Sequence, residues 1–120
     1  NRCRRQRQMC IRDRYWGFPS GRIEDGESPI NAAEREAFEE TSVNTRTLNL
    51  IAEIDDPSLP IRHYFYLCLD WVGKIENAEP DLCGELRWFN VNELPKKCTP
   101  ITYLVMKKIK AALRDNQQRT

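Results

Sequence analysis

Gly21-Arg-Ile-Glu-Asp-Gly-Glu27-Ser-Pro-Ile-Asn-Ala-Ala-Glu-Arg35-Glu36-Ala-Phe-Glu39-Glu40-Thr-Ser42-Val43 is the stretch on which the reading of this chain turns. Ser28 is a good N-cap, and Pro29 falls at the first helical position, where a missing N–H costs nothing. Ala32 to Glu40 is rich in helix formers, so the spacing predicts a helix beginning at Pro29. Ile30, Ala33 and Ala37 share one stripe at 100° per residue, a candidate core face. Glu36, Glu39 and Glu40 stand at i, i+3 and i+4 on roughly the opposite side, within about 100° of the circumference. Like charges so placed repel, unless a hard divalent cation bridges them. On the helix alone, a solvated acidic face is the simpler reading and a metal site the sharper one.

Outward from the helix, Tyr15 to Glu27 is punctuated by Gly17, Pro19, Gly21 and Gly26 and reads as loop. Leu48–Ile54 and Tyr64–Trp71 read as strands, separated by the turn-forming Asp55-Asp56-Pro57-Ser58-Leu59-Pro60. Val72–Gly84 is a polar, acidic loop and Leu86–Val91 a short strand. Ile101–Leu113 reads as a helix with Ile101, Leu104, Val105, Ile109 and Leu113 at helical spacing. Residues 116–120 read as a frayed tail.

With 120 residues the chain suffices for one domain and not for two. No apolar run approaches the roughly 20 residues of a membrane-spanning helix. Cys3, Cys10, Cys68, Cys83 and Cys98 are odd in number and lack a C-x-x-C pair, which reads as reduced thiols in a cytoplasmic protein. The net charge of +1 conceals an asymmetry. Arg2, Arg4, Arg5, Arg7, Arg12 and Arg14 crowd residues 1–14 against Asp13, so the remainder is net acidic. A basic arm suggests nucleic-acid binding. However, Met9-Cys10-Ile11-Arg12-Asp13-Arg14 resembles the translation of a transposon-end sequencing adapter. Residues 1–14 are therefore expected to be a non-native or disordered arm outside the fold, and no nucleic-acid partner is expected.

The spacing Gly21, Glu27, Arg35, Glu36, Glu39, Glu40, Val43 resembles the Nudix box, G-x5-E-x7-R-E-U-x-E-E-x-G-U with U bulky and aliphatic. Trp16-Gly17-Phe18-Pro19 resembles the usual approach to that box, and the likeness covers most of residues 15–113. It implies an α/β fold, an α/β/α sandwich around a mixed sheet, with residues 15–115 as a MutT-type hydrolase domain. One or two strands usually precede the Trp-Gly-Phe-Pro stretch, and here they are expected to be missing. Three positions depart from the pattern: Ser42 replaces the box glycine, Ala37 a larger aliphatic residue, and Ser20 a second glycine often found before the box. A left-handed backbone at Ser42 would cost about 1 kcal/mol relative to glycine.

The resemblance implies a Mg²⁺- or Mn²⁺-dependent pyrophosphohydrolase acting on a nucleotide-like small molecule. Glu39 and Glu40 would be the principal metal ligands. Glu36 would complete the metal cluster or serve as, or orient, the general base, and Ser20 would offer its carbonyl. Gly21, Glu27 and Arg35 would support the loop–helix corner, the last two as an ion pair. A further acid often comes from a later loop; Glu79 is the first candidate, before Asp81 and Glu85. Trp16, Phe18, Tyr66 and Trp88 are candidates for stacking a base, against the plainer reading that buried aromatics are core. His63 reads as a surface residue at a strand start. A catalytically inactive Nudix-fold nucleotide-binding module is the alternative.

Overall fold

Turn chemistry and apolar periodicity divide the chain into five strands and two helices among the described residues. The structure is a computed structural model that describes the backbone of residues 6–12 and 15–119 and the side chains of residues 15–115. In order these are β1 (Gln6–Arg12), β2 (Tyr15–Gly17), α1 (Pro29–Thr41), β3 (Asn44–Asp55), β4 (Arg62–Val72), β5 (Glu85–Asn90) and α2 (Pro100–Arg119).

Residues 6–12 do not stand outside the fold. Strand β1 pairs antiparallel with β2 (Ile11 opposite Trp16) and with β5 (Gln6 opposite Asn90 through Ile11 opposite Glu85), in the order β2-β1-β5. The expected arm is corrected over this span, as is the expected lack of a strand before Trp16. Sheet pairing is made by backbone N–H and C=O groups, which an Arg/Gln-rich segment carries like any other. The rest of the expected arm lies outside the described residues.

Strands β3 and β4 form a second, two-stranded sheet, from Asn44 opposite Val72 to Asp55 opposite Arg62 at the turn. All named strand pairs are antiparallel. The parallel component of the expected mixed sheet is confined, among the described residues, to the isolated bridge between Trp16 and Cys98.

Helix α2 supplies the core. Val105, Met106, Ile109 and Leu113 are buried against Ala52 of β3, Leu67 of β4 and Val91 just beyond β5. Leu104, assigned to this face by its spacing, is exposed instead. The helix continues through residues 116–119 of the expected frayed tail: Gln117, Gln118 and Arg119 are good helix formers, and neither glycine nor proline interrupts them. Cys83 is disulfide-bonded, which corrects its reading as a reduced thiol and removes that premise for a cytoplasmic location. Pairing between distant cysteines needs the fold to bring them together, and spacing alone does not reveal it.

Candidate active site

Helix α1 is set by its two ends. The Ser28 hydroxyl accepts the Asn31 N–H at 3.2 Å, and Pro29 follows it. At the other end Ser42 has φ 66° and ψ 17°, and its N–H donates to the Phe38 carbonyl at 2.9 Å. That is the left-handed cap expected where the Nudix box has glycine.

The helix is rotated from the orientation that apolar content alone suggests. Ile30 and Phe38 are exposed, whereas Ala32 and Glu40 are buried and Glu36 is half-buried. Glu40 is 6% exposed. The Ala32–Glu36–Glu40 line therefore faces inward, and a simple solvated acidic face does not describe it. Glu39, one position round, is 45% exposed at its side chain.

One guanidinium organises the site. Arg35 donates from Nε to Glu27 Oε2 at 2.8 Å and from Nη2 to Glu27 Oε1 at 3.0 Å. Nη2 also donates to the Arg22 carbonyl at 2.8 Å. Nη1 reaches Glu36 Oε1 at 2.8 Å and Glu39 Oε2 at 3.1 Å. Glu27 Oε1 accepts the Glu24 N–H at 3.0 Å. The Arg35 hydrogen bonds, then that backbone N–H, bring the Glu27 carboxyl down to about 2. Arg35 is pushed above its already high value, chiefly by Glu27. Gly21 closes the corner: a Cβ there would overlap the Glu36 carboxyl.

An open cleft of about 1470 Å³ lies beside this corner, its lining including Phe18, Ser20, Gly21, Glu36, Tyr66 and Trp88. Burial raises the Tyr66 phenol above its ordinary value. Trp88 stacks on Trp71 with ring centroids 6.1 Å apart and planes at 29°. Trp16 is elsewhere. It is buried against Cys98, lies edge-on to Phe89 at 4.8 Å, and carries the Arg87 guanidinium over its ring. Of the four aromatics proposed for a base, Trp16 is core because its strand bridges Cys98.

Glu79 is half-buried in a loop tied to the end of α1, where Ala78 N–H donates to the Glu40 carbonyl and Glu76 N–H to that of Thr41, each at 3.1 Å. The loop is thus brought to the glutamate helix, although Glu79 is not part of the cleft lining. His63 corrects its surface reading: it lines the cleft, and its Nε2 lies 2.7 Å from Asp56 Oδ1. Trp71, Asp56 and His63 were not among the expected site residues. The signal for the last two was the turn itself, since Pro57 and Pro60 predict a hairpin that places its flanking residues across from each other.

The donor set fits a hard cation. Glu36 and Glu39 converge on one cationic nitrogen, and both offer carboxylate oxygen. Among the described residues no cluster of three His, Cys, Asp or Glu forms a metal cage. Mg²⁺ asks for less: it is commonly held by one or two carboxylates, with water and substrate phosphate completing the shell.

A loop–helix corner of this form, on an α/β framework, defines a class that comparison confirms. The NUDIX domain family model matches residues 3–109, and the chain belongs to this family. An RNA pyrophosphohydrolase of Bartonella bacilliformis is 49% identical over 43 residues, 36% of this chain and 24% of that protein. An 8-oxo-dGTP diphosphatase of Proteus vulgaris is 32% identical over 63 residues, 51% of this chain and 56% of that protein. The chain thus spans well under two thirds of either relative. The fold is shared with a MutT NUDIX hydrolase from Burkholderia pseudomallei at TM-score 0.78 and 24% identity, over 84% of this chain and 85% of that one. No helix among the described residues is long and apolar enough to cross a membrane.

Proposed function

We propose that this chain is a metal-dependent pyrophosphohydrolase that cleaves the diphosphate linkage of a nucleoside diphosphate-X substrate by attack of water on phosphorus. The observation that carries this reading is the Glu36 carboxylate, gathered with Glu39 on Arg35 and abutting Gly21 at the edge of a cleft. One or two such carboxylates, with water and substrate phosphate, are what Mg²⁺ commonly takes.

Glu39 and Glu40 would hold Mg²⁺ or Mn²⁺ with Glu36, and the Ser20 carbonyl and Glu79 are further candidate ligands. When bound, the metal neutralises phosphate oxygens and makes water easier to deprotonate. Glu36, half-buried and steadied by Arg35, would receive the water's proton or orient the group that does. Gly21 lets the loop backbone approach that carboxylate. Glu27 holds Arg35 at two points, so the guanidinium does not swing when a cation draws on Glu36 and Glu39. Phe18, Tyr66 and Trp88 offer apolar area to the nucleoside.

The substrate panel follows from the class: nucleoside triphosphates, their oxidised deoxy forms, ADP-ribose and dinucleoside polyphosphates. Because one relative is named for RNA, a 5′-triphosphorylated oligoribonucleotide belongs on it too. The test is product analysis with Mg²⁺, with Mn²⁺ and with a chelator. Metal-dependent release of a nucleoside phosphate is expected. Tight nucleotide binding without turnover on any substrate would instead establish the inactive binding module.

A further inference from the structure

The chain's single histidine sits in the cleft wall, fixed by a carboxylate, and the diphosphate chemistry makes no use of it. His63 Nε2 and Asp56 Oδ1 are 2.7 Å apart, with side chains 26% and 14% exposed. Asp56 Oδ2 accepts the N–H groups of Ser58 at 2.9 Å and Leu59 at 2.8 Å. The His63 hydrogen bond, then these two, hold the Asp56 carboxyl below its ordinary range. An ionised carboxylate only accepts, so Nε2–H is the donor. The ring is thereby oriented, and Nδ1 is the nitrogen left to meet a ligand.

Rings lead from this residue toward the glutamates. His63 lies 6.1 Å from Phe65, and Phe65 lies 6.3 Å from Phe18, edge to face. Phe18 precedes Gly21 by three residues, at most about 10 Å of chain, and Gly21 abuts Glu36. The cleft thus has a ring-lined end with one polar edge and a carboxylate end, and His63, Phe65, Phe18 and Glu36 all line it.

We propose that His63, oriented by Asp56, hydrogen-bonds the edge of the substrate's nucleobase where the base lies against the Phe65 ring. This deepens the pyrophosphohydrolase reading and rests on it for placing the phosphates at Glu36. With the ring neutral, Nδ1 accepts, so an amino-bearing edge binds in preference to its carbonyl counterpart. The competing account is a clasp that closes the β3–β4 turn beside the Asp56 N–H to Ile61 carbonyl bond of 2.9 Å. A clasp is indifferent to which base is present.

Because His63 is the sole histidine, its imidazole gives one unambiguous NMR signal in the wild-type chain. In alkaline buffer, titration with AMP and CMP is expected to move that signal more than IMP and UMP do, and ribose 5-phosphate is expected to leave it in place. No movement with any base, or equal movement with ribose 5-phosphate, would overturn the proposal. In parallel, H63A should raise KM about fivefold for an amino-bearing nucleoside triphosphate and leave kcat within about twofold. An equal change for all four bases would mark the clasp. Turnover by the wild type with a silent imidazole removes the base contact and leaves the hydrolase reading standing; an imidazole response without turnover does the reverse.

Discussion

Arg35 and Glu27 meet at two points, Nε to Oε2 at 2.8 Å and Nη2 to Oε1 at 3.0 Å, across the corner where the Gly21–Glu27 loop enters α1. A planar guanidinium with both these nitrogens engaged has little rotational freedom left. Its third nitrogen is therefore held in place against Glu36 and Glu39. One side chain ties the loop to the helix and also sets where two carboxylates point. Lysine, a single point charge, would not reproduce this.

The pair gives the protein a defined acid response. The Glu27 carboxyl falls from an ordinary 4.5 to about 2 in the folded chain. A depressed folded value contributes stability that is complete above about 4.5 and is lost as pH falls toward 2. Glu27→Gln should therefore destabilise the protein at neutral pH and flatten the fall in melting temperature across that window. Thermal melts of both proteins at several acidic pH values check this; parallel curves would show that Glu27 is not the group responsible.

Glu40→Gln isolates charge from shape. The side chain is buried, and its backbone carbonyl anchors the Ala78 loop, which the substitution leaves untouched. Turnover should drop by about 100-fold or more, with the urea midpoint little changed. Near-wild-type turnover would remove Glu40 from the proposed metal ligands.

Gly21→Ala tests the loop's approach to the helix. The added methyl would overlap the Glu36 carboxyl, which ends a flexible side chain and can swing aside. Activity should suffer far more than stability, since the displaced group is the one proposed to handle the water. If the variant unfolded instead, the loop backbone rather than Glu36 would be the element under strain.

The local features of the site were legible in sequence because local rules determine them. Ser28 caps, Pro29 starts and Ser42 ends α1 as residue chemistry dictates, and the box spacing identified the Glu27–Arg35 pair. What failed was long-range. Ile30 promised a core face, yet tertiary packing turned the Ala32–Glu36–Glu40 line inward and left Ile30 in solvent. Trp16 looked like a stacking residue until its bridge to Cys98 placed it in the core. His63 appeared to be a surface residue because its partner is seven positions away, across a turn.

Ser42 leaves room for improvement. Its φ of 66° lies in the left-handed region, which glycine enters without penalty. Ser42→Gly should stabilise the protein by up to about 1 kcal/mol, offset in part by the greater freedom of glycine when unfolded. Urea denaturation measures the difference; a loss of stability would mean that the hydroxyl contributes more than the backbone strain costs.

The last prediction reverses what composition suggested for the N-terminus. In the order β2-β1-β5, β1 is the middle strand, and β2 and β5 do not pair with each other. Removing residues 1–12 would strip β5 of the partner that faces it from Glu85 to Asn90, and β2 of the one facing Tyr15–Gly17. The freed backbone groups would need water or new partners. Tyr15 and Gly17 of β2 pair with β1 and line the cleft, so the damage would reach it. The deletion should therefore lower the melting temperature sharply and broaden the transition, with loss of nucleotide turnover. A truncated chain that melts as cooperatively as the full one, and is equally active, would show that Gln6–Arg12 contributes pairing without supporting the fold.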